Sequence, residues 1–153
     1  MKIITKNRYA YHDYSFDKDY NVGIVLKGHE VKSIKYGHVN IKDAIIRIDN
    51  KELRIINMDI PLYEKASIAQ IGGYVAKGKR KLLITKKELA KISAMLDKSG
   101  NVAIPLEVYL DKRGLVKLKI GIGKLMRKVE KKQILKEKDI KKQMDRDIKS
   151  MRS

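Results

Sequence analysis

The sequence predicts a mainly β chain with helices: an OB-like (oligonucleotide-binding) β-barrel flanked by short helices over residues 1–123, and a basic C-terminal tail over residues 124–153. Three observations predict it. Short apolar runs alternate with a period of two, as strands with one buried face do. All ten glycines and both prolines lie at or before Gly123, so turn chemistry stops there. Lysine plus arginine number 36 against 18 acidic residues, and the resulting net charge of +18 opposes compaction unless a polyanion offsets it.

In chain order, residues 9–16 read as an aromatic strand and residues 23–26 as an apolar one. Residues 29–36 read as a short helix closed by Gly37, with Val31 and Ile34 as its buried stripe. Ile46 to Ile48 and Leu53 to Ile55 alternate around Asp49-Asn50-Lys51 and predict a hairpin. Gly73, four intervening residues, Gly78 and Lys79 almost spell a phosphate-binding loop. However, Arg80 stands where a magnesium-holding Ser or Thr is needed and a strand-like run follows, so the segment reads as a flexible basic loop. Thr85 and Glu88 form a capping box, and Leu89, Ile92 and Leu96 continue at helical spacing. Val102, Ile104, Leu106, Val108 and Leu110, a turn at 111–114, and Val116, Leu118, Ile120 and Ile122 predict a long hairpin. Lys117 and Lys119 then share its outward face.

Composition restricts the chemistry. With no cysteine in the chain, disulfides, thiolate zinc sites and thiol nucleophiles are excluded. His12, His29 and His38 lack tight metal-ligand spacing, so no metal and no cofactor are expected. No carboxylate pair sits beside a recognisable nucleophile, which leaves catalysis without support. No apolar run approaches the roughly 20 residues of a membrane span, and the first residues lack a signal-peptide core, so a cytoplasmic, membrane-free protein is expected. Nucleic acid remains the natural polyanion. Tyr9, Tyr11, Tyr14, Phe16 and Tyr20 lie among Lys6, Arg8 and His12, where rings can stack on unpaired bases while cations meet phosphates, or can simply pack between strands.

The tail carries 12 basic and 5 acidic residues and only a thin apolar stripe of Ile140, Met144, Ile148 and Met151. Good helix formers with so little to bury are expected to be disordered alone and to order when a partner neutralises the lysines.

Several runs, taken in order, carry a resemblance. They are Asn7-Arg8-Tyr9-Ala10-Tyr11-His12-Asp13-Tyr14, Gly28-His29-Glu30-Val31-Lys32-Ser33-Ile34 and Gly37-His38-Val39-Asn40-Ile41-Lys42-Asp43-Ala44. Arg80-Lys81-Leu82-Leu83, Lys117-Leu118-Lys119-Ile120-Gly121 and Leu135-Lys136-Glu137-Lys138-Asp139 follow. Together they resemble the SmpB family of bacterial ribosome rescue, over nearly the whole chain. The resemblance implies a noncatalytic RNA-binding protein that grips the elbow of the tRNA-like domain of transfer-messenger RNA. It implies delivery of that RNA to stalled ribosomes with elongation factor Tu, support for alanyl-tRNA synthetase through the RNA, and action as a monomer. It places RNA binding on Asn7, Arg8, His12, Glu30, Lys32, Ser33, Asn40, Lys81, Lys117, Lys119 and Lys124. It places engagement of the small-subunit decoding centre and mRNA channel on a helical tail through Glu130, Lys131, Lys132, Ile140, Met144 and Ile148.

The chain departs from that family pattern in places. Leu125-Met126-Arg127 stands where a Gly-Lys-Lys turn is usual, Glu130-Lys131-Lys132 replaces Asp-Lys-Arg, Val129 replaces an aromatic or histidine, and no proline precedes Arg80. Composition alone equally permits a generic ribosomal or RNA-chaperone OB-fold protein, which would not prefer one RNA.

Overall fold

The computed structural model describes residues 1–63 and 72–126. Seven strands, β1 (Lys2–Lys6), β2 (Tyr14–Ile24), β3 (Ile45–Asp49), β4 (Glu52–Ile56), β5 (Arg80–Leu83), β6 (Val102–Leu110) and β7 (Val116–Leu125), form one antiparallel sheet. Its order is β1-β6-β3-β4-β5-β2-β7, and a further pairing of β6 with β7 closes a six-stranded ring with β1 attached outside it. The meander β3-β4-β5, the return of β6 to β3, and the β6–β7 hairpin give the Greek-key path of an OB-like barrel, with β2 inserted between β5 and β7. Among the described residues three helices flank it: α1 (Arg8–Asp13), α2 (Gly28–Lys35) and α3 (Lys86–Leu96).

The expected alternation is what fills the barrel. Leu53 and Ile55 of β4, Leu82 of β5, Val108 of β6 and Leu118, Ile120 and Ile122 of β7 are buried in one cluster, joined by Ile34 from α2 and Ile92 from α3. Val31 packs half-buried against the core beside fully buried Ile34, and Glu30 and Ser33 are buried on α2 as well. Both predicted hairpins form. Asn50 and Lys51 take positive φ at the β3–β4 turn, and the Asp111 carboxylate accepts from the amides of Leu115 at 2.9 Å and Arg113 at 2.8 Å in the β6–β7 turn. The Thr85 hydroxyl accepts from the Glu88 amide at 3.2 Å and starts α3, which is one half of the predicted capping box.

Two expectations need correction. Residues 9–13 are not strand: Asn7 caps a short helix by accepting from the Ala10 amide at 3.2 Å, and extended backbone resumes only at Tyr14. A side-chain cap on a turn and a half of helix, burying Ala10 alone, leaves no periodic signal to read. The segment before β5 is not a free basic loop either. Arg80 is 6% exposed and its guanidinium donates to the carbonyl oxygens of Met58, Ala76 and Gly78, pinning the loop from inside.

β7 also runs through Lys124 and Leu125, which pair with Ser15 and Tyr14, and the Met126 amide donates to the Asp13 carbonyl at 2.9 Å. Near that end β2 and β7 come very close. A Cβ on Gly123 would collide with the Ser15 carbonyl oxygen and lie 2.7 Å from the Phe16 Cα, and one on Gly121 would lie 2.8 Å from both Phe16 and Leu106. Because backbone cannot yield as a flexible side chain does, Gly123→Ala is expected to destabilise by about 1–3 kcal/mol. Chemical denaturation checks this, and an unchanged midpoint would mean the strands part freely.

Candidate nucleic-acid interface

The predicted site residues divide by burial. Asn7, Glu30 and Ser33 are buried and already engaged. Besides capping α1, Asn7 donates from Nδ2 to the carbonyls of Pro105 at 3.1 Å and Ile41 at 3.3 Å, tying α1 to β6 and to the loop before β3. Ser33 donates to the carbonyl of Pro61 at 2.8 Å, with that of His38 at 3.2 Å as a weaker shared acceptor. These side chains shape the surface from beneath, where hydrogen bonding is compulsory.

Glu30 anchors the largest buried polar network. One carboxylate oxygen accepts from the Lys27 amide at 2.8 Å, and the other accepts from Arg80 Nε at 2.7 Å and lies 3.1 Å from the Tyr74 hydroxyl, which shares its proton with the nearer Ile60 carbonyl at 2.7 Å. Arg80 Nη2 donates in turn to the Tyr74 hydroxyl at 3.1 Å, so the fork of the guanidinium is satisfied on every arm. Burial alone would raise the Glu30 carboxyl, but the Lys27 amide, the Arg80 hydrogen bond and charge, and the Tyr74 hydroxyl outweigh it and hold it below the ordinary value. The Tyr74 hydroxyl is pushed up, by burial first and by the Glu30 charge next.

The remaining candidates face outward in separate places. Register puts Lys6 of β1, Glu107 of β6, Lys119 of β7 and Asn21 of β2 in one row across four strands. Glu107 is a spacer that keeps the cations in place: it lies 3.8 Å from Lys6 Nζ and accepts from the Tyr11 hydroxyl at 3.2 Å. Burial and that carboxylate push the Tyr11 hydroxyl up to about 12, so it stays a donor. Lys117 lies one step along, opposite Tyr109 and Gly23. Lys119 also pairs with Asp19 at 3.7 Å, an exposed contact that a phosphate can replace. Arg8, Asn40, Lys6 and Lys42 rim a cleft at the Lys6 end of this row, so the predicted Arg8 and Asn40 meet the row there while Lys117 and Lys119 lie beyond Glu107.

Others stand apart. His12 is exposed beside Asp13 at 3.2 Å, and Lys124 lies at the far end of β7 from Lys117. Lys32 reaches over the Tyr63 ring, which stacks on Tyr36 at 5.7 Å. Lys81 belongs to a second ladder, Arg47–Arg54–Lys81 across β3, β4 and β5, whose charges Glu52 bridges at 2.8 Å to Arg54 and 3.3 Å to Lys81. Glu130, Lys131, Lys132, Ile140, Met144 and Ile148 lie outside the described residues.

Sequence reasoning left Lys42, Arg47 and Arg54 off the surface and named Lys6 only among the cations interleaved with the aromatics. Alternation already turned Arg47 and Arg54 outward, between buried Ile46 and half-buried Ile48 and between buried Leu53 and Ile55. Their alignment with Lys81 depends on strand register, which no local pattern supplies. Among the described residues no group of acidic and histidine side chains is arranged to hold a metal ion, and no helix is long and apolar enough to cross a membrane.

Comparison with known proteins adds three findings. The family model described as SmpB protein matches residues 4–150. The SsrA-binding protein of Coprothermobacter proteolyticus is 44% identical over 147 residues, covering 96% of this chain and 97% of the relative, and that of Persephonella marina is 43% identical over 149 residues, covering 97% and 95%. A solved structure described as "tmRNA-SmpB: a journey to the center of the bacterial ribosome" superposes with a TM-score of 0.66 at 34% identity, covering 86% of this chain and 93% of that one.

Proposed function

This chain belongs to the SmpB family, and from that premise we propose that it binds the tRNA-like domain of transfer-messenger RNA and brings it to stalled ribosomes for trans-translation. The observation that carries this reading is the cluster of outward cations in which Arg8, Lys42 and Lys6 rim one cleft and Lys119 and Lys117 follow across the sheet, with the Glu107 carboxylate between Lys6 and Lys119. Spaced ammonium groups on a rigid sheet match a folded RNA backbone, because each phosphate contact releases condensed counterions. Proteins of this family in other bacteria carry the name SsrA-binding protein, and one is described together with tmRNA and the ribosome.

In this reading the barrel supplies binding and the basic tail supplies the ribosome. Lys131 and Lys132 meet the decoding centre while Ile140, Met144 and Ile148 line one side of a helix in the empty mRNA channel. Elongation factor Tu and alanyl-tRNA synthetase are reached through the RNA, the protein acts as a cytoplasmic monomer, and it performs no chemistry of its own. The buried Asn7, Ser33 and Glu30 support the surface without touching the ligand.

Sequencing the RNA that co-purifies with the intact protein tests the reading: strong enrichment of transfer-messenger RNA over bulk transfer RNA is expected, and equal recovery of both would defeat it. Replacing Lys117 and Lys119 together is expected to weaken binding and reduce the salt slope of log affinity by up to about 2. An unchanged slope removes that pair from the interface.

A further inference from the structure

The five rings between residues 9 and 20 are spent differently. Tyr20 is buried in the barrel core. Tyr14 and Phe16 stack at 5.9 Å and pack against Ala10, Ile104 and Leu106. Tyr11 is fixed edge-on to Phe16 at 6.3 Å and by its hydroxyl to Glu107. Tyr9 presents its ring most fully of the five, at 60% exposure against 36% for the anchored Tyr11, with the Lys42 ammonium 4.4 Å from its centroid. An exposed cation–π contact contributes little to folding, so this ring does not owe its place to packing.

Tyr9 and Lys42 form a partition between two clefts. The first, about 320 Å³, is lined by Lys6, Arg8, Asn40 and Lys42 with no carboxylate. The second, about 340 Å³, includes Asp13 and Asp43 in its wall, which disfavours phosphate there. The base of α1 is rigid, because Asn7 holds it to the sheet through buried hydrogen bonds. A preorganised ring loses little freedom on binding.

We propose that Tyr9 and Lys42 form a stacking site for one unpaired RNA nucleotide, whose base lies on the Tyr9 ring and whose phosphates meet Lys42, Arg8 and Lys6 in the carboxylate-free cleft. This rests on the RNA-binding reading and refines it, since a ring of this kind selects a splayed-out base and ignores a continuous duplex.

The chain contains no tryptophan, so Tyr9→Trp installs a single fluorescent reporter at the site. The probe is the transcribed tRNA-like domain of transfer-messenger RNA, with a blunt RNA duplex of equal length as control. The tRNA-like RNA is expected to quench that fluorescence and the duplex to leave it unchanged. Tyr9→Ala is expected to weaken affinity for the tRNA-like RNA about 5- to 150-fold with its salt slope intact, and Tyr9→Phe to bind as the unaltered protein does. Lys42→Gln is expected to lower the slope by about 1. If Tyr9→Ala binds normally while the Lys117 and Lys119 double replacement is weakened, the stacking site is refuted and the RNA-binding reading stands. If the unaltered protein shows no preference for the tRNA-like RNA over duplex, both fall. A Tyr9→Ala defect confined to ribosome association, with free RNA bound normally, assigns the ring to another partner and overturns the proposal.

Discussion

An Arg80→Ala protein is expected to lose about 3–5 kcal/mol of folding stability, because removing one partner of a buried ion pair strands the other. Arg80 lies 2.7 Å from Glu30 with both side chains almost fully enclosed, at 6% and 5% exposure. The same guanidinium also closes the carbonyls of Met58, Ala76 and Gly78. Lysine cannot replace that fork, so Arg80→Lys is expected to recover only a minor part of the loss. Urea denaturation measures it, and a loss below about 1 kcal/mol would show that water reaches the network. The pair also sets an acid limit. Glu30 titrates below its ordinary value of 4.5 in the folded protein. A depressed carboxyl stabilises fully above the unfolded value, and its contribution disappears as pH falls through the folded one. The unaltered protein is therefore expected to lose stability progressively below about pH 4.5, and Glu30→Gln to be less stable at neutral pH but shallower in its acid decline.

The second large effect concerns division of labour. A protein ending at Met126 is expected to bind the tRNA-like RNA with near-normal affinity and to support no tagging of stalled peptides in a reconstituted translation system. The cut belongs after Met126 and not after Gly123, because Lys124, Leu125 and Met126 complete the β2–β7 pairing and hold Asp13. Tagging by the shortened protein would refute the role proposed for the tail, and loss of RNA binding would place part of the grip there.

What the sequence could reveal followed from how local its cause was. Strands with strict alternation, such as Val116 to Ile122, and a helix with its own cap and stripe, such as Thr85 to Leu96, announce themselves because each residue's neighbours decide its state. The short helix at Arg8–Asp13 did not, since its stability comes from Asn7 reaching Pro105, 98 positions away. Glu30 was placed among the RNA-binding residues, and not in the interior, for the same reason. Its partner Arg80 is 50 residues distant, and nothing near either residue indicates that the two meet in the interior. Outward lysines were legible one strand at a time, whereas the row from Lys6 to Lys119 and the ladder from Arg47 to Lys81 exist only once strands are in register.

The hydrogen bond from Met126 to Asp13 fixes where the cationic arm departs: at the foot of α1, on the strand end next to Tyr14. The 27 residues numbered 127–153 span at most about 90–97 Å when drawn out, but only about 40 Å as a continuous helix. Under the role proposed for the tail, a helix formed on the ribosome would therefore have less than half the extended span and would draw its tip in toward α1.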